Sequence, residues 1–202
     1  MKWKYLNKFL SLKCAGDVLN AVNGINRAPK EITESMSIIN VIRSITLKDP
    51  MKWTVVDLCS GNSLTGILAV HLLPVKEAIA YDKRNRSFNM KRIKRFEYNV
   101  ADIYNDGEIR IPENSIIISV HPCGKLALQV IDIYNKRDNA KHLALMPCCV
   151  GNLSGVMPRI VKLIGKYEAW SYKLSILANG SYKRDNHCIS PANSVITASK
   201  GE

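Results

Sequence analysis

Val55-Val56-Asp57-Leu58-Cys59-Ser60-Gly61-Asn62-Ser63-Leu64-Thr65 joins a β-branched run to an apolar one through five small or polar residues. The run at 54–58 favours a strand, and the apolar spacing from Leu64 to Leu73 favours a helix. A strand passing through a tight turn into a helix is the opening unit of a doubly wound α/β sheet. In such sheets a ligand lies beyond the carboxyl ends of the strands, where strand order reverses. The turn must be small so that backbone can approach the ligand. Cys59, Ser60, Gly61 and Ser63 supply that smallness, and Asp57 ends the strand with a carboxylate able to orient an ammonium group.

The alternation continues outward. Strands are expected at Glu77–Tyr81, Glu97–Val100, Ser115–Val120 and His142–Met146, with a basic helix from Ser87 to Arg95 and another helix from Lys125 to Tyr134. Trp170, Tyr172, Leu174 and Ile176 alternate and predict a sixth strand, and Ser194–Ala198 a seventh. Repeated strand–helix units imply a mostly parallel sheet covered on both faces. Two late strands with no helix between them imply a C-terminal antiparallel hairpin. Residues 1–50 read as a helical segment packed on this core. In it Thr33-Glu34-Ser35 offers N-cap candidates ahead of Met36, Ile38, Ile39, Ile42 and Ile45, and Asp49-Pro50 ends it. Residues 51–202 form the α/β domain.

Two further carboxylates follow strands. Asp82 lies 25 residues after Asp57, near the spacing at which an acidic residue accepts hydrogen bonds from a ribose diol. Asp102 follows the third strand, where a carboxylate can receive an adenine amino group. One Asp at a strand end is usually a turn former; three in this order point to a nucleoside cofactor. A nicotinamide dinucleotide site would need Gly-x-Gly-x-x-Gly, and only Gly61 fits, with Cys59 and Leu64 in the flanking glycine places. A phosphate-binding loop ending Gly-Lys-Ser/Thr is absent.

The loops after strands four and five carry His121-Pro122-Cys123-Gly124 and Pro147-Cys148-Cys149-Val150-Gly151. Three roles suit this cluster. The cysteines can be small buried hydrophobes. They can present a nucleophilic thiolate, as 5-methylcytosine enzymes do, if His121 lowers a thiol pKa. With His187-Cys188 they can converge on a metal, although the spacing matches no standard zinc ribbon and no ligand set is assigned. His121 can also act as general base. His71 and His142 receive no role.

With its Asp-Leu-Cys-Ser-Gly loop, His-x-Cys-Gly and Pro-Cys-Cys, the chain from Val55 to Gly151 resembles a set of class I, Rossmann-like methyltransferase-domain proteins. These are related to the eukaryotic tRNA acceptor-stem 2′-O-methyltransferase family. The resemblance implies S-adenosylmethionine held by Asp57, Gly61, Asp82 and Asp102, and a site lined by His121, Cys123, Cys148 and Cys149. Cys59 and Ser63 join the expected cofactor-binding residues through the small turn, and His121, Cys123 and Cys149 are the catalytic candidates. Val150 and Gly151 follow the double cysteine where the tRNA family carries histidine, and that family's N-terminal zinc-finger region has no counterpart.

Charge gives the partner class. Lys and Arg number 29 against 17 Asp and Glu, a net +12, which attracts polyanions. Seven of the thirteen residues from Lys83 to Arg95 are basic, a solvated helix face or a phosphate track. Ser181-Tyr182-Lys183-Arg184 reads as a polar hairpin loop or a small stacking patch. The function expected is methyl transfer from S-adenosylmethionine to RNA, tRNA favoured. The alternatives are a small-molecule methyltransferase and a non-catalytic RNA-binding protein of the same fold. The six cysteines sit in an α/β pattern rather than a disulfide framework. The apolar run Ile67–Leu73 falls short of the ~18 residues of a membrane span, and Met1 to Leu6 lacks a signal-peptide core. A cytoplasmic protein without membrane association is therefore expected, and the sequence sets no oligomeric state.

Overall fold

The computed structural model describes residues 3–22, 25, 27–86 and 90–201. Seven strands form one sheet in the order β3-β2-β1-β4-β5-β7-β6. They are β1 (Thr54–Leu58), β2 (Glu77–Asp82), β3 (Phe96–Val100), β4 (Ser115–Val120), β5 (Ala140–Met146), β6 (Ser181–Arg184) and β7 (Ser194–Ser199). The first five run parallel, and β7 pairs antiparallel with both β5 and β6. The seven-stranded, mostly parallel sheet with a C-terminal antiparallel hairpin is as the sequence predicts.

The centre of the sheet explains its legibility. All five residues of β1 are buried, as are the first five of β4. Parallel strands covered on both faces read as continuous apolar runs. Edge strand β3, half exposed, carries no such run.

Helices α1 (Lys4–Leu10), α2 (Ala15–Ala21), α3 (Ala28–Lys48) and α4 (Leu64–Leu72) share one core layer with the inner side of β1 and β4. On the other face α5 (Lys125–Lys136) and α7 (Lys166–Leu177) pack over β4, β5 and β7, and α6 (Pro158–Ile164) precedes α7. Helix α3 starts with Pro29 in its first turn, five residues ahead of the expected cap. Thr33, Glu34 and Ser35 are therefore buried inside the helix and cap nothing.

Three other expectations fail. Residues 170–176 lie in α7, with Trp170 and Leu174 buried and Tyr172 and Ile176 exposed. On a helix, positions two apart point to nearly opposite sides, so period-two spacing also yields one inward and one outward stripe. The sixth strand is instead Ser181–Arg184, a stretch whose composition suggests a polar hairpin loop or a stacking patch. It is short, basic and at the edge, which blunts edge pairing. Of the basic helix expected at 87–95, residues 87–89 lie outside the described residues, and the described part, 90–95, holds a 3₁₀ turn at Met90–Arg92 leading into β3.

Candidate active site

The strand order reverses between β1 and β4, and the loops after β1, β2, β4 and β5 gather at that edge. The β1 turn is built for closeness. Cys59, Gly61 and Ser63 all take left-handed backbone, at φ 57°, 58° and 59°, which costs a non-glycine residue about 1–2 kcal/mol. Hydrogen bonds hold this shape. Ser60 N–H donates to the Tyr81 carbonyl at 3.0 Å, and Gly61 N–H to Asp82 Oδ2 at 2.9 Å. Ser63 Oγ reaches Ser60 Oγ at 3.0 Å, and Ser63 itself is buried.

The three carboxylates have distinct surroundings. Asp57 is buried and accepts the Gly66 N–H at 3.0 Å. A Cβ on Gly66 would sit 3.2 Å from that carboxylate and 3.1 Å from Phe96, so α4 is fastened close against β1. Burial pushes the Asp57 carboxyl up to about 7; the Gly66 N–H opposes the shift and the Asp82 charge adds to it. Asp82 accepts Gly61 N–H and, through Oδ1, the Arg84 backbone N–H at 3.0 Å and Nε at 3.2 Å. Asp102 is exposed and accepts the Tyr104 N–H at 3.1 Å. What they share is Cys59: burial first, and then the charges of Asp82, Asp57 and Asp102, push its thiol up to about 12.

A cavity of about 300 Å³ opens beside this turn, lined by Cys59, Ser60, Gly61 and Asn62 on one side and by α3 on the other. That volume is at the lower end of ordinary ligand sites. Asn62 donates to Glu31 at 2.7 Å, and Ser35 and Thr65 hydroxyls meet at 2.9 Å, so α3 and the turn form one unit. Arg27, Lys30, Arg84 and Arg86 bring cations to its walls.

At its floor lies a group that sequence reasoning missed. The Glu34 side chain is fully buried, with Lys30 Nζ 3.0 Å from Oε1 and 3.2 Å from Oε2. His121 Nε2 lies 2.7 Å from Oε1. Neither approach to Oε1 is aligned as a hydrogen bond, so this buried oxygen is held by charge alone. His121, at φ 64° after β4, turns its ring toward α3. The available signal was Glu34 itself, a charge four and five residues from Ile38 and Ile39 on a helix that buries both.

The cysteines form a separate group. Cys123, Cys148 and Cys149 place their sulfurs 2.9–3.4 Å apart. The Cys123 and Cys148 thiols approach the carbonyl of His121, at 3.6 and 3.7 Å, and not its imidazole. Burial pushes both thiols up, opposite to what a nucleophilic thiolate requires. His187 and Cys188 do not join them: Cys188 is buried against the Thr33 carbonyl, and His187 stacks edge-on with Tyr5. His142 bonds Ser199 at 2.8 Å, and His71 is exposed at the end of α4.

The basic run is divided. Arg95 turns inward and donates to the Val70 carbonyl at 2.6 Å and to that of Val75, a structural clamp and no phosphate contact. Arg184, in β6, pairs with Glu168 at 3.4 Å. Among the described residues no helix is long and apolar enough to cross a membrane.

Sheet order, terminal hairpin and a cavity at the reversal point define the Rossmann-like methyltransferase fold. Residues 27–156 match the methyltransferase domain family, and the chain belongs to it. The match begins at α3 and so includes the helix that walls the cavity. Similar solved structures include an rRNA methylase from Streptococcus thermophilus, 16% identical with a TM-score of 0.54, the alignment covering 83% of this chain and 95% of that one. Another is a ribosomal protein L11 methylase from Lactobacillus delbrueckii subsp. bulgaricus, 13% identical, TM-score 0.52, covering 90% and 83%. A third is a putative tRNA (m1A22) methyltransferase from Streptococcus pneumoniae, 13% identical, TM-score 0.51, covering 81% and 69%. No curated protein sequence matches the chain.

Proposed function

We propose that this protein transfers a methyl group from S-adenosylmethionine to RNA, with tRNA the favoured acceptor. One observation carries the cofactor reading. A fully buried carboxylate, Glu34, stands in the wall of a cavity beside the small β1 turn, and its Oε1, though 3.0 Å from Lys30 Nζ and 2.7 Å from His121 Nε2, has no aligned hydrogen bond. Such an oxygen suits an ammonium group, and Lys30 and Arg27 beside it suit a carboxylate. Together they match the two charges of an amino acid zwitterion. Across the turn, Gly61 leaves open space where a Cβ would stand. Asp82 lies behind it, and the mostly exposed Arg84 side chain can leave that carboxylate free for a ribose diol. Asp57 holds the turn through α4, Cys59 and Ser63 shape it, and Asp102 serves the adenine edge.

When bound, S-adenosylmethionine supplies an electrophilic methyl group on its sulfonium. The chain's own residues position the reactants, the main source of rate for such a transfer. His121 lies at the cavity edge with its imidazole against Glu34, placed to take the proton an acceptor hydroxyl or amine gives up. Cys123 and Cys149 stand beside it on the acceptor side.

RNA is favoured over a small acceptor by the net +12 charge and by Arg84 and Arg86 on the cavity wall. The tRNA preference rests on the loop resemblance to the acceptor-stem family. Names of structural relatives do not decide it, because they include both RNA and protein methylases. Calorimetric titration tests the cofactor: binding of S-adenosylmethionine is expected, and none at high concentration refutes both enzyme readings and favours a non-catalytic RNA-binding role. Nucleoside mass spectrometry of RNA from cells lacking the protein should show one methylated nucleoside missing; unchanged RNA would favour a small-molecule acceptor.

A further inference from the structure

The three thiols after β4 and β5 are unused by the cavity and are not explained as core packing, since Cys123 and Cys149 are exposed. Their sulfurs form a closed triangle with sides of 2.9, 3.4 and 3.4 Å. These distances are too long for a disulfide, at about 2.05 Å, and the shortest is too close for two sulfurs resting unbonded. Two thiols alone would suit a redox pair. Three converging on one point suit a shared ion: an atom about 2.3 Å from each sulfur, the zinc–thiolate distance, would lie about 1.3 Å off the plane of the triangle, and a regular tetrahedral site would spread the sulfurs to about 3.8 Å.

The scaffold beneath is fixed. His121 N–H donates to the Met146 carbonyl at 2.8 Å and ties the two loops together. Tyr167 of α7 donates to the Pro147 carbonyl at 2.9 Å, and Lys173 holds the carbonyls of Asn152 and Ser154 at 2.9 and 2.7 Å. Gly151 presses on Trp170 so closely that a Cβ there would stand 2.5 Å from the ring. The thiols are therefore presented by clamped backbone, as a metal site requires.

We propose that Cys123, Cys148 and Cys149 bind one Zn²⁺ ion as thiolates, each thiol releasing its proton to solvent as its sulfur–metal bond forms. Three soft ligands select zinc over the hard cations. The fourth tetrahedral position faces outward between the exposed Cys123 and Cys149, open to water or to a donor atom of an acceptor. Three protein ligands with one open position are the pattern of zinc sites that take a further ligand, and not of closed structural ones.

The test uses the reduced full chain, stripped with a chelator and titrated with Co²⁺ as a coloured substitute. A thiolate-to-cobalt charge-transfer band is expected to saturate at one ion per chain, with the red d–d bands of a tetrahedral site, and to vanish as Zn²⁺ displaces Co²⁺. Cys123→Ser and Cys148→Ser should each abolish that stoichiometric band, and Cys14→Ser should leave it intact. If a variant fails to fold, alkylation of the unaltered chain decides: Zn²⁺ should shield Cys123, Cys148 and Cys149 from iodoacetamide while leaving Cys14 unchanged. Absence of the band, a band that survives Cys148→Ser, or a Cys123–Cys148 disulfide in place of metal uptake overturns the proposal.

Discussion

Glu34 is a charge with no access to solvent, held by two bases at the cavity floor. A buried carboxylate of this kind costs desolvation that its partners only partly return, which fits a binding role better than a stabilising one. Glu34→Gln keeps the shape and removes the charge. Hydrogen bonds to charged groups contribute about 1.5–3 kcal/mol, so S-adenosylmethionine should bind roughly tenfold to a hundredfold more weakly to the variant in calorimetry. Unchanged affinity, with an unchanged circular dichroism spectrum, would remove Glu34 from the site. Asp57 makes a different prediction. Its carboxyl is raised from 3.8 to about 7 in the folded chain, so between those values the native state keeps a proton that the unfolded state has released. Stability contributed by Asp57 is then full below pH 4 and falls as pH rises toward 7. Asp57→Asn removes the titration. The stability of Asp57→Asn relative to the unaltered chain should rise between pH 4 and 7 in urea denaturation and level off above; a difference constant with pH would contradict the shift.

Helix α7 shows at the level of an element what sequence could and could not tell. Its Trp170, Tyr172, Leu174 and Ile176 satisfy a strand's alternation, and they satisfy a helix equally, with 170 and 174 inward and 172 and 176 outward. Two single substitutions separate these cases. Leu174→Ala should cost about 2–5 kcal/mol in urea denaturation, whereas Ile176→Ala, at a position 58% exposed, should cost under about 0.5 kcal/mol. On a strand both would lie on one face and cost alike. The central strands escaped this ambiguity because burial on both faces leaves an apolar run that only a parallel strand of that length fits. The β1 turn was legible because its small residues and its carboxylate lie together in sequence. Glu34 and Lys30 were not, because their part in the site exists only once α3 lies across the turn. The triangle of thiols was half legible: the two loops announced themselves, but the mutual approach of Cys123, Cys148 and Cys149 depends on α7 clamping the β5 loop.

At the scale of the whole molecule the question is whether the +12 charge is a general solvating surface or a track leading to the cavity. Part of the basic run is spent inside the protein, since Arg95 clamps carbonyls at 70 and 75. What remains at the cofactor edge is Lys83, exposed after β2, with Arg84 and Arg86 on the cavity wall. A track makes a quantitative demand that a diffuse surface does not. Each phosphate neutralised releases counterions and adds about 0.7–0.9 to the slope of log affinity against log salt. tRNA binding should therefore weaken steeply between 50 and 200 mM salt, on the order of a thousandfold if six or more phosphates are met. Lys83→Ala and Arg86→Ala should each reduce the slope by about 1, whereas Lys8→Ala, on the exposed side of α1, should leave it unchanged. A slope equally sensitive to all three would mean that the charge acts only as a diffuse field. A flat response would remove RNA altogether and leave the cavity to a small, uncharged acceptor.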